Sequence, residues 1–371
     1  MQNENGEEVC SRNAKKLSFL LALLFLVGTL SGCGGPSVPQ TTAPETTESA
    51  PETTASVPKI YDDGRARPSS CGRLRVKDGK LCGEDGRPVM LRGVSINGLI
   101  ASESFINETL FEELSRDAGV NLFRLAMYTY GVGIIGYCTN GSRERYHEDL
   151  AKGIEYAKKQ DMYVIVDWHI LKDGDPNTYI DKAKDFFAEM AETYRDYDNV
   201  LYEICNEPNG VDWAAVKRYA EEVIPIIREK DPKAVIIVGN PDWSKALYDV
   251  AADPLDFDNI LYTLHFYSAT HGDKYREMTE KLSKEGLPIF VTEYGVTAAS
   301  GDHPRDLESA DKWIELLEQE NISYCMWSFS KVAEASAAVR STVPKYSGFV
   351  REDYTETGLW LLDTLAKHKT R

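Results

Sequence analysis

Val200-Leu201-Tyr202-Glu203-Ile204-Cys205-Asn206-Glu207-Pro208 is the stretch whose reading decides the fold. Apolar side chains fill most of it, with β-branched Val200 and Ile204, which predicts a buried strand of a parallel sheet. Asn206 and Glu207 fall where that strand stops, and Pro208 cannot donate to a ladder. A carboxylate at the C-terminal end of a parallel strand is where α/β enzymes keep their chemistry; a surface glutamate in a loop is the plain alternative. A second stretch, Pro288-Ile289-Phe290-Val291-Thr292-Glu293-Tyr294-Gly295, repeats the design.

Outward from these two stretches, strand and helix patterns alternate. Leu74-Arg75-Val76 and Leu81 flank Asp78-Gly79 and predict a small N-terminal hairpin that caps the bottom of the main domain. Strands are expected at 89–96, 121–127, 163–168, 200–208, 234–239, 260–266, 288–293 and 323–329. Helices are expected near 105–117, 147–160, 179–196, 212–230, 244–252, 272–285, 306–320 and 356–367. Eight βα units in about 310 residues imply a parallel sheet closed as a (β/α)8 TIM barrel rather than an open doubly wound sheet. No Gly-x-Gly-x-x-Gly follows the first strand, which disfavours a dinucleotide fold.

The first 33 residues read as a targeting segment. Arg12, Lys15 and Lys16 precede an apolar run from Leu17 to Leu30, the length of a signal h-region. The run ends in Leu30-Ser31-Gly32-Cys33, which resembles a bacterial lipobox with Cys33 as the lipid-bearing residue. Residues 34–58 are Pro, Thr, Glu, Ser and Ala with almost no large apolar side chain, and such a segment cannot offset its ordering entropy. The expected organisation is a lipoprotein signal over 1–33, a flexible linker over 34–58 and one catalytic domain over 59–371. It would sit on the extracellular face of a bacterial membrane, held only by the lipid; an ordinary signal peptide whose cleavage region contains Cys33 is the alternative, and the domain would then be secreted. Net charge is −17, which argues against a nucleic-acid partner. Of seven cysteines, Cys10 and Cys33 belong to the leader. Cys71 and Cys82 flank the hairpin turn and could pair. Cys205 and Cys325 lie in apolar strands and read as buried thiols.

A barrel enzyme builds its site from C-terminal strand ends. Those ends supply Arg124 and Tyr128, Asp167-Trp168-His169, Asn206-Glu207, His265-Phe266-Tyr267, Glu293-Tyr294 and Trp327. Glu207 and Glu293 stand on the fourth and seventh strands and would both face the mouth. One acid to protonate a leaving oxygen and one carboxylate to attack an anomeric carbon is the requirement of a glycosidase. Core histidines, a structural Arg124 ion pair and a core Trp327 are the competing readings. No His-x-x-x-His spacing is present, so neither metal nor other cofactor is expected. No Gly-x-Ser-x-Gly elbow supports a serine hydrolase.

At these residues the chain resembles glycoside hydrolase family 5, specifically its bacterial endo-β-1,4-glucanases. The resemblance runs over about 72–367. It is carried by Leu91-Arg92-Gly93-Val94-Ser95, Phe123-Arg124, Asp167-Trp168-His169, Asn206-Glu207-Pro208-Asn209-Gly210, His265-Phe266-Tyr267 and Thr292-Glu293-Tyr294-Gly295. It implies Glu207 as acid/base and Glu293 as nucleophile of a retaining β-glucanase. Asn206 would hold a sugar 2-hydroxyl. Arg124, His265 and Tyr267 would orient Glu293, and Tyr128, His169, Trp243, Trp327 and Glu334 would line the sugar cleft. The implied partner is a β-glucan chain, bound by a monomer. Mannan, xyloglucan or mixed-linkage glucan are alternative substrates, and a sugar-binding lipoprotein without catalysis is an alternative class.

Overall fold

The computed structural model describes residues 64–131 and 135–368. The expected leader with Cys33 and the linker over 34–58 lie outside the described residues. No helix among the described residues is long and apolar enough to cross a membrane.

A two-stranded antiparallel hairpin comes first, β1 (Arg75–Lys77) and β2 (Lys80–Cys82). Its turn residues Asp78 and Gly79 have φ 52° and 72°. Positive φ at both central positions is what a tight primed turn demands, and Asp-Gly meets it. Cys71 and Cys82 are both free thiols, so the pairing is not made. Arg75, not Cys71, stands opposite Cys82 in the ladder, and the Cys82 thiol is directed at the carbonyls of Lys80 and Lys77.

The remaining strands are β3 (Arg92–Ser95), β4 (Leu122–Tyr128), β5 (Tyr163–His169), β6 (Val200–Glu203), β7 (Val235–Val238), β8 (Ile260–Tyr267), β9 (Ile289–Gly295) and β10 (Tyr324–Trp327). Every neighbouring pair is parallel, and β10 closes on β3. This is the expected (β/α)8 barrel, with helices between the strands. The strand period of two divides each sequence between two cores. Leu122, Tyr163, Ile165, Leu201, Ile237, Leu261 and Phe290 form an inner cluster with hairpin residues Leu74 and Leu81, which plug the barrel floor. Phe123, Leu125, Val164, Val166, Ile236, Leu264 and Phe266 face outward into the helical shell. Each such side chain fully buried contributes about 1.5–3 kcal/mol, so the alternation fixes the register.

Several features differ from expectation for physical reasons. The helix expected from 105 begins at Glu108, because the Asn107 side chain accepts a hydrogen bond from the Leu110 amide and caps it. That helix ends in a π-turn over Leu114–Ala118, closed by left-handed Gly119. The strand expected to run to 208 leaves the ladder after Glu203: the Ile204 amide still bonds to Ile237, but the Asn206 amide bonds back to Trp168 on β5. Asn206 and Glu207 therefore sit on an irregular segment above the barrel. On β9, three residues advance (Phe290 to Glu293) while two advance on β8 (Thr263 to His265). This bulge turns Thr292 and Glu293 both toward the interior.

The segment carrying Glu207 leans on a glycine. A Cβ at Gly239 would stand 2.2 Å from the Cys205 carbonyl oxygen and 2.9 Å from both the Asn206 oxygen and Pro208 Cδ. Gly239→Ala is expected to lower stability by about 1–3 kcal/mol and to displace Glu207. Thermal denaturation and turnover should both fall; wild-type values for both would refute the packing argument.

Candidate active site

The mouth of the barrel is organised by Arg124, which β4 points inward and which is completely buried. Its Nε donates to Glu203 at 2.7 Å, one terminal nitrogen lies 3.2 Å from Glu293, and the other donates to Asn206 Oδ1 at 2.6 Å and lies 3.0 Å from Asp167. Burial works against its charge, but Asp167, Glu203 and Glu293 together keep the guanidinium protonated. Glu203 responds in turn. Burial would raise its pKa, yet Arg124 and His265 hold it down at about 2.

A hydrogen-bonded chain runs from Glu203 to Glu207. The Thr292 hydroxyl donates to Glu203 at 2.6 Å and accepts from His265 Nε2 at 3.0 Å and from the Thr263 hydroxyl. His265 Nδ1 then donates to Glu207 Oε1 at 2.9 Å. Burial disfavours charge on His265, but the carboxylates of Glu203, Glu207 and Glu293 push its pKa up to about 9. With both ring nitrogens protonated, every donor and acceptor of the chain is matched. His265 was expected to orient Glu293; it stands opposite Glu293 across the ladder, while its hydrogen bonds go to Glu207 and Thr292.

Glu293 is held by Arg124 on Oε2 and by the Tyr267 hydroxyl, which donates to Oε1 at 2.7 Å. Burial raises its pKa above the ordinary 4.5, opposed by His265 and Arg124 and reinforced by Glu207. Tyr267 itself is raised, by burial and by Glu293. Asn206 was expected to face a sugar. It is fully buried: Oδ1 accepts from Arg124, and the amide donates to the Ile170 carbonyl at 3.0 Å, with His169 Nε2 at 3.4 Å. In this geometry it holds Arg124 and stands beside His169.

His169 Nδ1 bonds to Asp167 at 2.6 Å, and burial followed by the Arg124 charge depresses its pKa to about 4, so the ring is neutral. Its ring lies nearly parallel to Trp327, with centroids 5.3 Å apart, and Tyr128 packs on it at 4.3 Å. Tyr128, Ala126, Tyr267 and Trp327 form a small apolar cluster of their own at the mouth. These aromatic side chains give one wall suited to the C–H face of a sugar.

The opposite wall is the segment after β7. Asp242, Trp243 and Ser244 have φ of 57°, 54° and 58° in succession. None is glycine, and each such residue costs of the order of 1 kcal/mol or more, so the surroundings must hold them. They do. The Trp243 amide donates to Pro208 O at 3.1 Å, the Ser244 hydroxyl to Asn206 O at 2.6 Å, and the Asn240 amide to Thr263 O at 2.7 Å. The strained turn is thus fastened to the segment that bears Glu207, and it leaves Trp243 47% exposed. A cleft of about 350 Å³ opens here, lined by Glu207, Asp242, Trp243, Lys245, His265, Tyr267, His271 and Ala299.

Of the expected site residues, Arg124, Tyr128, His169, Asn206, Glu207, His265, Tyr267, Glu293 and Trp327 meet at the mouth, and Trp243 stands at its rim. Glu334 does not join them. It is exposed on the loop after β10, where it accepts from the Ser336 hydroxyl. Sequence reasoning missed Glu203 and Thr292 as members of the network, and Lys245 and His271 as cleft residues. Glu203 carried a signal, a carboxylate at an inward position of an apolar strand. Thr292 carried none without the bulge. Ligand-type atoms of Glu207, His265 and Glu293 lie within 4.8 Å of one another. Hydrogen bonds already engage them: His265 on Glu207, Tyr267 and Arg124 on Glu293.

The family model for Cellulase (glycosyl hydrolase family 5) matches residues 82–332. Endoglucanase A of Butyrivibrio fibrisolvens is 42% identical over 302 residues, covering 80% of this chain and 70% of that protein. An endoglucanase of Clostridium saccharobutylicum is 42% identical over 313 residues, 84% of this chain and 68% of that protein. The catalytic domain of Thermobifida fusca endoglucanase Cel5A, solved with cellotetraose, superimposes with a TM-score of 0.77 at 36% identity, covering 81% of this chain and all of that one. Barrel, strand-end carboxylates and sequence agree over the same span, and the chain belongs to the Cellulase family, glycosyl hydrolase family 5.

Proposed function

We propose that the protein is a retaining endo-β-1,4-glucanase, with Glu293 as nucleophile and Glu207 as acid/base. The observation that carries this reading is the Glu207–Glu293 pair, with carboxyl oxygens within 4.8 Å across the mouth. That spacing suits direct attack on an anomeric carbon; a pair that must also admit a water stands farther apart. Arg124 and Tyr267 hold the two carboxylate oxygens of Glu293 in place. Glu207 faces the Trp243 side, where a departing oxygen would collect its proton. The similarity to endoglucanases, one of them solved with cellotetraose, supports a β-1,4-glucan as the substrate.

In the first step Glu293 attacks the anomeric carbon while Glu207 gives its proton to the leaving oxygen. In the second, Glu207 takes a proton from water, which releases the sugar from Glu293. Arg124 and Tyr267 orient the nucleophile, and the His265–Thr292–Glu203 chain orients Glu207.

We also propose that Cys33 carries a lipid that holds the domain outside a bacterial cell. The basic residues, apolar run and Ser31-Gly32-Cys33 support this reading.

Initial rates on carboxymethylcellulose, mixed-linkage glucan, xyloglucan and mannan test the substrate; greater activity on mannan than on the glucans would overturn it. Glu293→Gln and Glu207→Gln should each lower turnover by about 100- to 10 000-fold with folding intact. Glu207→Gln should lose less on an aryl glycoside whose leaving group needs little protonation, whereas Glu293→Gln should lose on both. Because Glu293 must be ionised to attack and burial raises its pKa, kcat/KM should fall on acidification at a pH above 4.5. Tyr267→Phe removes a donor to that carboxylate, so the acid limb should move higher and kcat/KM drop by about tenfold or more. An unmoved limb would refute the assignment. Cys33→Ala should abolish incorporation of labelled fatty acid and release the domain from membranes; labelling that persists would exclude Cys33.

A further inference from the structure

Gly295 ends β9 two residues after Glu293, so both lie on the same face of the strand. It stands directly opposite Tyr267 in the β8–β9 ladder. Nothing in its own backbone calls for glycine: it is a strand residue, and its φ is not in the left-handed region. A glycine there also weakens the strand. The demand for it is spatial. A Cβ at this position would stand 2.4 Å from Tyr267 Cδ1, 2.6 Å from Cε1 and 3.4 Å from Cγ. These nearest atoms all belong to one ring, and the first two fall well inside van der Waals contact.

The Tyr267 backbone is pinned and does not retreat to make room. Its amide donates to His271 Nδ1 at 2.8 Å, and its carbonyl accepts from the amides of Thr270 at 2.9 Å and His271 at 2.8 Å. The His271 carbonyl in turn accepts from the Trp313 indole at 2.8 Å, and that indole stacks on Phe266 with centroids 3.9 Å apart. Inside the mouth the Tyr267 ring packs with Ala126, Tyr128 and Trp327. Extra volume at Gly295 is therefore taken up by rotation of the Tyr267 side chain, and the hydroxyl, at the far end of the ring, moves most. That hydroxyl is the donor to Glu293 Oε1 at 2.7 Å, and it keeps its proton because burial and the Glu293 charge oppose its ionisation.

We propose that Gly295 is a positioning residue for the nucleophile: it leaves the Tyr267 ring the space from which its hydroxyl reaches Glu293. The inference rests on the reading of Glu293 as nucleophile. Gly295 touches no reacting atom and acts through Tyr267. Arg124 from β4, His169 from β5, Glu207 from the segment after β6 and His265 from β8 also face the Glu293 carboxylate. None of them is among the atoms that a Cβ at Gly295 would meet first, so Gly295→Ala leaves their effect on that carboxylate in place.

The test is a double-mutant cycle in the full-length protein, with kcat/KM followed across pH on the glycan that wild type turns over fastest. Gly295→Ala should lower kcat/KM by about tenfold. It should also move the acid limb to higher pH, as Tyr267→Phe does, because the carboxylate loses the same donor. In the Tyr267→Phe background, Gly295→Ala should move the limb no further. Thermal denaturation gives a second cycle with Tyr267→Ala, which empties the space. Gly295→Ala should lower Tm in the wild-type background and leave it unchanged in the Tyr267→Ala background. Should Gly295→Ala alone not fold, recovery of folding in the Tyr267→Ala background supports the proposal, and failure to recover overturns it. An unmoved acid limb in folded Gly295→Ala, or a further shift in the Tyr267→Phe background, would overturn the proposal while the reading of Glu293 stands. Wild-type turnover in Glu293→Gln would instead overturn that reading, and this one with it.

Discussion

A guanidinium with no access to water must be matched by charge on every side, and Arg124 is that guanidinium. An unpaired charge in its place would cost several kcal/mol. Asp167 from β5, Glu203 from β6 and Glu293 from β9 supply the match, with Asn206 from the segment after β6. Four separate elements are tied to one side chain, so the top of the barrel has little freedom to vary. The arrangement is costly for stability when compared with an apolar core of equal volume. What it provides is a fixed carboxylate at a strand end.

The second constraint is the bulge on β9. Side chains alternate along a regular strand, so Thr292 and Glu293 could not both face inward without it. One extra residue gives both. Thr292 completes the chain from Glu203 through His265 to Glu207, and Glu293 meets Arg124 and Tyr267. The two carboxylates thereby receive different neighbours: Glu207 has a charged imidazole, Glu293 a guanidinium and a phenol. Distinct surroundings are how one site gives two like groups different tasks.

The third is the left-handed turn at Asp242–Ser244. Strain of this kind persists only where surrounding contacts over-determine the backbone. Here the contacts run to Asn206, Pro208 and Thr263, the same elements that carry Glu207 and His265. The turn ties the outer wall of the cleft to the segment that bears Glu207, so the position of Trp243 and Lys245 is linked to the position of Glu207.

Much of this was legible in the chain itself. Alternation of apolar strands with helical patterns determined the barrel, because a parallel sheet has few ways to close over eight units. Glu207 and Glu293 were visible because each breaks an apolar strand where it ends. Hidden were the groups whose meaning depends on a partner distant in sequence. Glu203 reads as one more strand residue until Arg124 is placed beside it. The resemblance implies His265 as a support of Glu293, and it stands opposite Glu293 across the ladder, but that its hydrogen bonds go to Glu207 and to Thr292, turned inward by a bulge, is visible only in the fold. The resemblance implies Asn206 as a sugar ligand; that its side chain also meets Arg124, Ile170 and His169 is visible only in the fold. The sequence by itself determined the fold and pointed to the Glu207 and Glu293 carboxylates, since both follow from local periodicity and chemical type. The tertiary structure alone decided which hydrogen bond each polar group makes, because buried donors and acceptors are matched across strands and not along them.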